Sequence, residues 1–470
     1  MLGQSEFAGQ MVDAASRAGD ERYAGTAVDP GQSAVRVYAT TVSLPTYPTT
    51  PYETDQVDPT YRWPYKAFDR ERFLADDPPP VTRTYRLWVM ENEYLRLTFL
   101  PELGGRLWQA IHKPTRANIF YQNPVVKPSP WGPANQLGWL ALGGLEWSAP
   151  VIEHGYDWGV PWLVTLEEDS GDRATLRIET PSDGRLLHIQ VRVSLEAGRA
   201  SFSVEPQVTN QASHELAFDY WQTAMLAPGG ANRPSGDLHF VLPSRRVQVH
   251  STGDPGLPPA GATSAWPVYA GRDMSRLANW QQYLGFFEHP QAPGPFVGVY
   301  DLAYDAGAVR IYPATVARGS KVFGLGWQDA LDSSHFTDDD SAYVELHAGL
   351  ASSFFEQARL AAGEQVAWRE VWFPVDGIGD LVAAGEEIAL NAQWADDGLA
   401  LGIYAVRPMG GTAIVTADST EVARVPWQAA PDAPFSQVVH LARQPGQSVT
   451  VTLTDEGGHL LLAHGIGSTP

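Results

Sequence analysis

Over most of its length the chain alternates apolar and polar residues in short runs that break at Gly, Pro, Asn or Asp, the period-two signature of half-buried β-strands. The run at 34–43, rich in β-branched residues, is the first such stretch. Regular alternation resumes at 84–90, 94–100 and 106–112, with Glu91-Asn92, residues 101–105 and Lys113-Pro114 supplying the turns, which is the spacing of a meander. Further strands are predicted at 162–168, 174–179, 187–195, 200–209, 216–226, 238–249, 296–301, 309–311, 342–350 and 367–373. Helical periodicity is scarce, so the pattern predicts an antiparallel sandwich or barrel and argues against a βαβ sheet.

Three stretches depart from this regularity. Residues 1–33 are polar and rich in small side chains, with one short helical pattern at 7–17, and read as a weakly ordered leader. Residues 44–80 are crowded with Pro, Tyr and Asp and predict an extended, irregular wrap over a core. Past a Pro/Gly-containing segment at 374–380 a new series of short strands begins, at 387–393, 400–406, 412–416, 436–441 and 448–453. The expected organisation is therefore a leader at 1–33, a large β-sandwich at 34–375 and a small β-sandwich at 381–470. A chain of 470 residues exceeds what one core ordinarily supports.

Composition narrows the function. There are 54 Asp and Glu against 32 Lys and Arg, a formal net charge of -22, with no basic block, which argues against nucleic acid and anionic membrane surfaces as partners. It favours a neutral ligand such as a sugar over a phosphorylated one, which calls for clustered cations or a Gly-rich helix start. The absence of cysteine rules out disulfides, thiolate metal sites and thiol nucleophiles. The first twenty residues lack a secretory pattern, which places the protein in the cytoplasm by default, or outside the cell if residues upstream of Met1 are missing. Sixteen Trp, 18 Tyr and 17 Phe suit both strands and the stacking of sugar rings. Oligomeric state is not readable.

Candidate chemistry concentrates in two stretches. Residues 131–162 interleave Glu146, His154 and Asp157 with Trp139, Trp147 and Trp158 among glycines, which predicts a loop over a cleft. Glu146 follows a Gly pair and is read as catalytic ahead of a loop-bracing role, and His154 as acid or structural residue with equal weight. The second stretch, 324–349, carries Trp327, then the acidic 329–340, then Tyr343-Val344-Glu345-Leu346-His347. Alternation there puts Tyr343, Glu345 and His347 on one face and Val344 and Leu346 on the other, a plausible catalytic floor in which burial raises the acid's pKa. Tyr220, Trp221 and Gln222 form a third, weaker candidate ligand surface. No cofactor is expected. Calcium at Asp338-Asp339-Asp340 with Asp329 or Asp332 is considered, but the EF-hand pattern is missing.

Four segments together resemble the DUF5107 domain family of the galactose-mutarotase-like superfamily. They are the run from Glu91 to Arg106, the run from Ile119 to Lys127 and Pro128, Gly143-Gly144-Leu145-Glu146-Trp147, and the run from Tyr343 to Gly349. The resemblance spans about residues 88–374 and implies a large twisted sandwich whose cleft binds carbohydrate, without supplying an established reaction. Related mutarotases use a histidine acid and a glutamate base, and Glu345 lies on a strand comparable to the one carrying that glutamate. The middle strand, 218–222, has no histidine.

Three functions follow as expectations. Glycoside hydrolysis needs two flanking carboxyls about 5–5.5 Å or 6.5–9.5 Å apart, for which Glu146 and Glu345 are the favoured pair. Epimerisation would use Glu345 as base with His154 or His347 as acid. A non-catalytic sugar binder would use Trp139, Trp147, Trp158, Trp221 and Trp327 for stacking. Hydrolysis of a neutral oligosaccharide is the leading expectation, with Arg106, Trp139, Trp147, Asp157, Trp158, Tyr220, Trp221, Gln222, Trp327 and His347 as binding residues.

Overall fold

The computed structural model describes residues 34–466, so the leader expected at 1–33 and its helical stretch at 7–17 lie outside the described residues. From residue 36 to residue 376 the chain builds two facing sheets. The larger has twelve strands, in the order Arg36–Thr46, Val81–Glu91, Leu95–Leu100, Arg106–His112, Gly144–Ser148, Trp221–Leu226, Val344–Gly349, Gly319–Gly324, Leu284–Glu288, Arg246–Thr252 and Thr263–Ala265, with Ala117–Asn118 beside Arg106–His112. The second has nine, running Leu238–Val241, Phe296–Asp301, Ala306–Ile311, Glu370–Asp376, Phe202–Asn210, Leu187–Glu196, Arg173–Glu179 and Leu163–Asp169, with Gln365–Ala367 alongside Phe202–Asn210. Strands within these sheets pair antiparallel, the arrangement that short turn-punctuated alternation favours.

Alternation decides which side chains fill the space between the sheets. Leu145, Ala224, Leu346, Val322 and Phe286 of the large sheet join Ile178, Ile189, Val204 and Val208 of the second in one apolar core. A polar knot interrupts it. Arg310 donates to both oxygens of Glu370 at 2.7 and 2.8 Å, and Trp368, Trp372 and Gln222 also donate to that carboxylate. On the opposite, outer face of the large sheet a second apolar cluster unites Trp108, Tyr121, Met225 and Tyr343 with Trp139, Leu142, Trp158 and Phe336 from connecting segments. Those segments roof the middle of the sheet.

The chain then forms a smaller sandwich of two four-stranded sheets. One is Ala383–Gly385, Ile388–Ala395, Gly398–Ala405 and Phe435–Val439, the other Thr420–Ala429, Met409–Ala417, Val449–Asp455 and Leu460–Ile466. It has its own core around Leu401, Val415, Trp427 and Val451. A further apolar cluster joins Phe296, Val309, Phe373 and Val375 of the large sandwich to Leu381, Ala389, Tyr404 and Val406 of the small one. Asp380 reinforces this junction, lying 2.8 Å from His239 Nδ1 and accepting from Arg276 and Gln393.

The structure corrects several sequence expectations. Residues 44–80 are not irregular throughout, since they contain a hairpin, Glu53–Asp58 with Trp63–Phe68, and the helix Arg70–Asp76. The first hairpin strand, Glu-Thr-Asp-Gln-Val-Asp, has no buried residue and hence no alternation to detect. The single strands expected at 216–226 and 238–249 are each broken, and each half joins a different sheet. Strands Gly144–Ser148, Gly319–Gly324 and Leu284–Glu288 are additions, and the first two carry functional side chains.

Candidate functional site

Four adjacent strands of the large sheet form the site floor. Thr223 lies opposite both Glu146 and His347, and His347 lies opposite Lys321, so Glu146, Thr223, His347 and Lys321 form one row across the sheet. In the next row Glu345 lies between Met225 and Phe323. Because side chains alternate along a strand, these residues all project from the face opposite Leu145, Ala224, Leu346 and Val322.

Local backbone chemistry allows this layout. Gly143 has φ 85° and a Cβ there would stand 1.8 Å from the Tyr121 carbonyl oxygen, so only glycine lets the chain enter the Glu146 strand at this point. Farther along, the Trp221 ring lies across Gly319 and Gly349, where a Cβ would come within 2.4 and 2.5 Å of ring atoms. Phe354 meets that ring edge-on at 4.6 Å.

Glu146 is a fully engaged carboxylate. Arg106 Nη2 donates to Oε2 at 2.8 Å, Trp139 Nε1 donates to both oxygens at 3.1 Å, and Ser148 Oγ donates to Oε1 at 3.3 Å. Burial alone would raise its pKa, but the Arg106 charge and the contacts from His154 and Trp139 outweigh that and hold it below the ordinary carboxylate value. The ring of His154 stacks on Trp139 with centroids 3.6 Å apart. Its Nδ1 stands 3.3 Å from Glu146 Oε1, within ion-pair range but off the line of a hydrogen bond.

Glu345 has a different environment. Its Oε2 is 2.7 Å from His347 Nε2, whose Nδ1 is 3.2 Å from Thr223 Oγ1. Burial raises the Glu345 carboxyl pKa, Glu153 adds to the rise, and the nearby charges of Lys321, His154 and His250 oppose it without reversing it. Burial and the Lys321 charge push the His347 pKa well below its usual value, disfavouring the charged ring. At the outer edge His250 Nε2 pairs with Glu153 Oε1 at 3.0 Å, and Glu153 is held well below the carboxylate range, its burial being outweighed by His250, Lys321 and His154.

The floor is deep. Glu146, Glu345, His347 and Lys321 are 3 % exposed or less, whereas the Glu153 side chain is 42 % exposed and that of His250 13 %. The aromatic cleft expected from the sequence is thus replaced by a buried polar floor, with Glu153, His250 and the exposed Phe355 toward its outer edge.

Among the expected site residues, Glu146, Glu345, His154, Arg106, Trp139, Trp221 and His347 gather on or beside this face. Others do not. Trp147 and Tyr220 belong to the inner core, and Gln222 points into the Glu370 knot, because Trp147 and Gln222 alternate to the opposite face from Glu146 and Thr223. Asp157 binds Trp63 Nε1 and Arg185, and Trp158 is part of the roof. Trp327 is 46 % exposed and packs beside Gly236. Glu146 and Glu345, the pair expected to flank a glycosidic bond, lie on the same face two strands and two residues apart, and Glu146 is occupied by protein donors.

Sequence reasoning missed Thr223, Lys321 and His250 as site members, and noted Glu153 only as one acid of the stretch 131–162. The alternation Ser320/Val322 against Lys321/Phe323 is the signal that would have found Lys321, whereas His250 sits at a bulge that period-two reading does not reveal. The acidic run near residue 338 is engaged otherwise: Asp338 pairs with Lys127 at 2.6 Å, and Asp339 accepts from Thr337 and Ser341. Among the described residues no group of three His, Asp or Glu side chains is arranged to hold a metal.

A family model described as "Domain of unknown function (DUF5107)" matches residues 56–375, the whole of this floor included. The chain belongs to the DUF5107 family. Its second sandwich, residues 383–464, matches the model for the second domain of YphG-like proteins. The DUF5107 fold is shared with a TPR-domain containing protein from Parabacteroides distasonis ATCC 8503, at 21 % identity and a TM-score of 0.59, with 73 % of this chain and 56 % of that one covered. This chain thus spans just over half of that protein's length. More remote matches include galactose mutarotase-like proteins from Clostridium acetobutylicum (10 % identity, TM-score 0.44, 62 % and 96 % covered) and Lactobacillus casei ATCC 334 (12 %, 0.41, 61 % and 99 %). No helix is long and apolar enough to cross a membrane among the described residues.

Proposed function

We propose that this DUF5107 protein is a carbohydrate-active enzyme that opens and recloses an aldose ring at the anomeric carbon, an epimerase of the mutarotase type. Glu345 takes the proton from the anomeric hydroxyl while His154 gives one to the ring oxygen. The C1–O5 bond breaks, the open-chain aldehyde turns, and the reverse transfers close the ring on the other face. The superfamily that the family motifs resemble supplies the expectation of a sugar.

One observation carries the reading. The face presents a carboxyl made more basic by burial, Glu345, near a histidine that a separate carboxylate, held below its ordinary pKa, steadies, His154 beside Glu146. An acid and a base with different partners are what opposed proton transfers need. Hydrolysis fits less well, because Glu146 has four donor contacts and is not free to attack or protonate.

The test is to follow anomeric proton signals by NMR for a panel of free aldoses and neutral oligosaccharides. Anomer exchange well above the uncatalysed rate supports the epimerase. Cleavage of an oligosaccharide without exchange favours a hydrolase, and binding without either favours a lectin-like role.

A further inference from the structure

We infer that the site floor takes an acidic sugar, a uronate, whose carboxylate pairs with Lys321. The inference rests on the proposed function for the sugar ring, and Lys321 supplies the rest. This residue is 3 % exposed, and among the described residues no carboxylate oxygen lies within 4.0 Å of its ammonium. Buried lysines are normally paired.

The two nearest carboxylates are already committed, Glu345 to His347 at 2.7 Å and Glu153 to His250 at 3.0 Å. Among the described residues the hydrogen-bond contact of Nζ is His347 Nε2 at 3.4 Å. That nitrogen cannot serve both neighbours. If Glu345 is ionised, Nε2 carries a hydrogen and donates to Glu345, so it has no lone pair for Lys321. If Glu345 is protonated, its hydroxyl occupies the Nε2 lone pair. In either state His347 is a poor acceptor for Nζ, and among the described residues the rings of Phe323 at 5.1 Å and Phe354 at 4.6 Å are its other close neighbours.

A further donor on this face is unpaired, Trp221 Nε1, which is fully buried. Two donor groups on one face, Lys321 Nζ and Trp221 Nε1, call for an oxygen-rich ligand; burial disfavours the Lys321 charge, and a charged oxygen brought beside it would restore that charge. The overall charge of -22 suggested a neutral ligand, but that sum is dominated by carboxylates far from this floor.

The experiment is calorimetric titration at low salt of glucuronate and galacturonate, their methyl esters, and glucose and galactose into the wild-type full chain and into Lys321→Met, whose stem keeps the contacts with Phe323 and Phe354. The expected result is that a uronate binds at least tenfold tighter than its ester or neutral counterpart, and that Lys321→Met abolishes this advantage. Equal affinity for acid, ester and neutral sugar, no binding of any of them, or an advantage that survives in Lys321→Met would overturn the inference. The comparison of acid with ester uses the wild type alone and stands even if the variant does not fold. Uronate binding without anomer exchange keeps this inference and removes the proposed reaction, and exchange on neutral aldoses without uronate preference does the reverse.

Discussion

Replacing Arg106 by Met tests whether Glu146 is a structural anchor. Arg106 is fully buried, and its Nη2 supplies the shortest of the contacts to Glu146, at 2.8 Å, while Nε and Nη1 bond the carbonyls of Leu103 and Gly143. Removing one partner of such a pair leaves a buried charge uncompensated, which costs about 3–5 kcal/mol. A sandwich of roughly 340 residues unfolding as one unit has an unfolding entropy near 0.7 kcal/mol per degree, so the melting temperature should fall by about 4–7 °C.

The loss depends on pH in a defined direction. Pairing depresses the Glu146 pKa in the folded protein, so its stabilisation is present above the unfolded value near 4.3 and is lost as pH falls through the folded one. The deficit of Arg106→Met is therefore largest at neutral pH and shrinks toward pH 4. Adding Glu146→Gln, which keeps an acceptor for Trp139, should recover about half of it. Scanning fluorimetry and urea titration measure both variants. A loss below about 1 kcal/mol, or one that does not change with pH, would refute the description of Glu146 as a clamped carboxylate.

Other residues give sharp expectations. His154→Gln, assayed by anomer exchange, should lower kcat by about 10²–10⁴-fold with little change in KM, while retention of full kcat would remove it as the acid. Glu288 is buried, and that burial raises its pKa to about 7, so the folded protein holds a proton that the unfolded chain has released. Stability should fall by about 3 kcal/mol as pH rises from the unfolded value to 7. In Glu288→Gln that slope disappears from the urea midpoint profile, and an unchanged profile would show that the group does not titrate as described. Gly349→Ala drives a methyl group into Trp221 and should cost about 1–3 kcal/mol and slow turnover, whereas a neutral effect on melting would mean the ring is not held there.

The antiparallel sandwich is readable from alternation because burial on one sheet face imposes a period of two. The segment from Tyr343 to His347 shows this well, with Val344 and Leu346 in the core and Glu345 and His347 on the site face. Where neither face is buried that signal vanishes, as in the exposed hairpin strand Glu53–Asp58, and the five-residue strand Gly144–Ser148 is too short for its alternation to stand out. Aromatic abundance misled in another way. Trp147 and Trp158 fill cores, because a large side chain contributes area wherever it is buried, and sequence does not say whether its neighbour is protein or ligand. The association of Glu153 with His250, and of Glu146 with Arg106, depends on strand order, which local pattern does not encode.

The account's central claim is that Glu345 is the base of the reaction, and replacing it by Gln changes one atom while keeping its shape. Anomeric exchange measured by NMR in wild type and Glu345→Gln, at equal and verified fold stability, is the direct test. The account predicts catalysed exchange in the wild type and a loss of at least about 10²-fold in the variant. Full exchange by Glu345→Gln would contradict it.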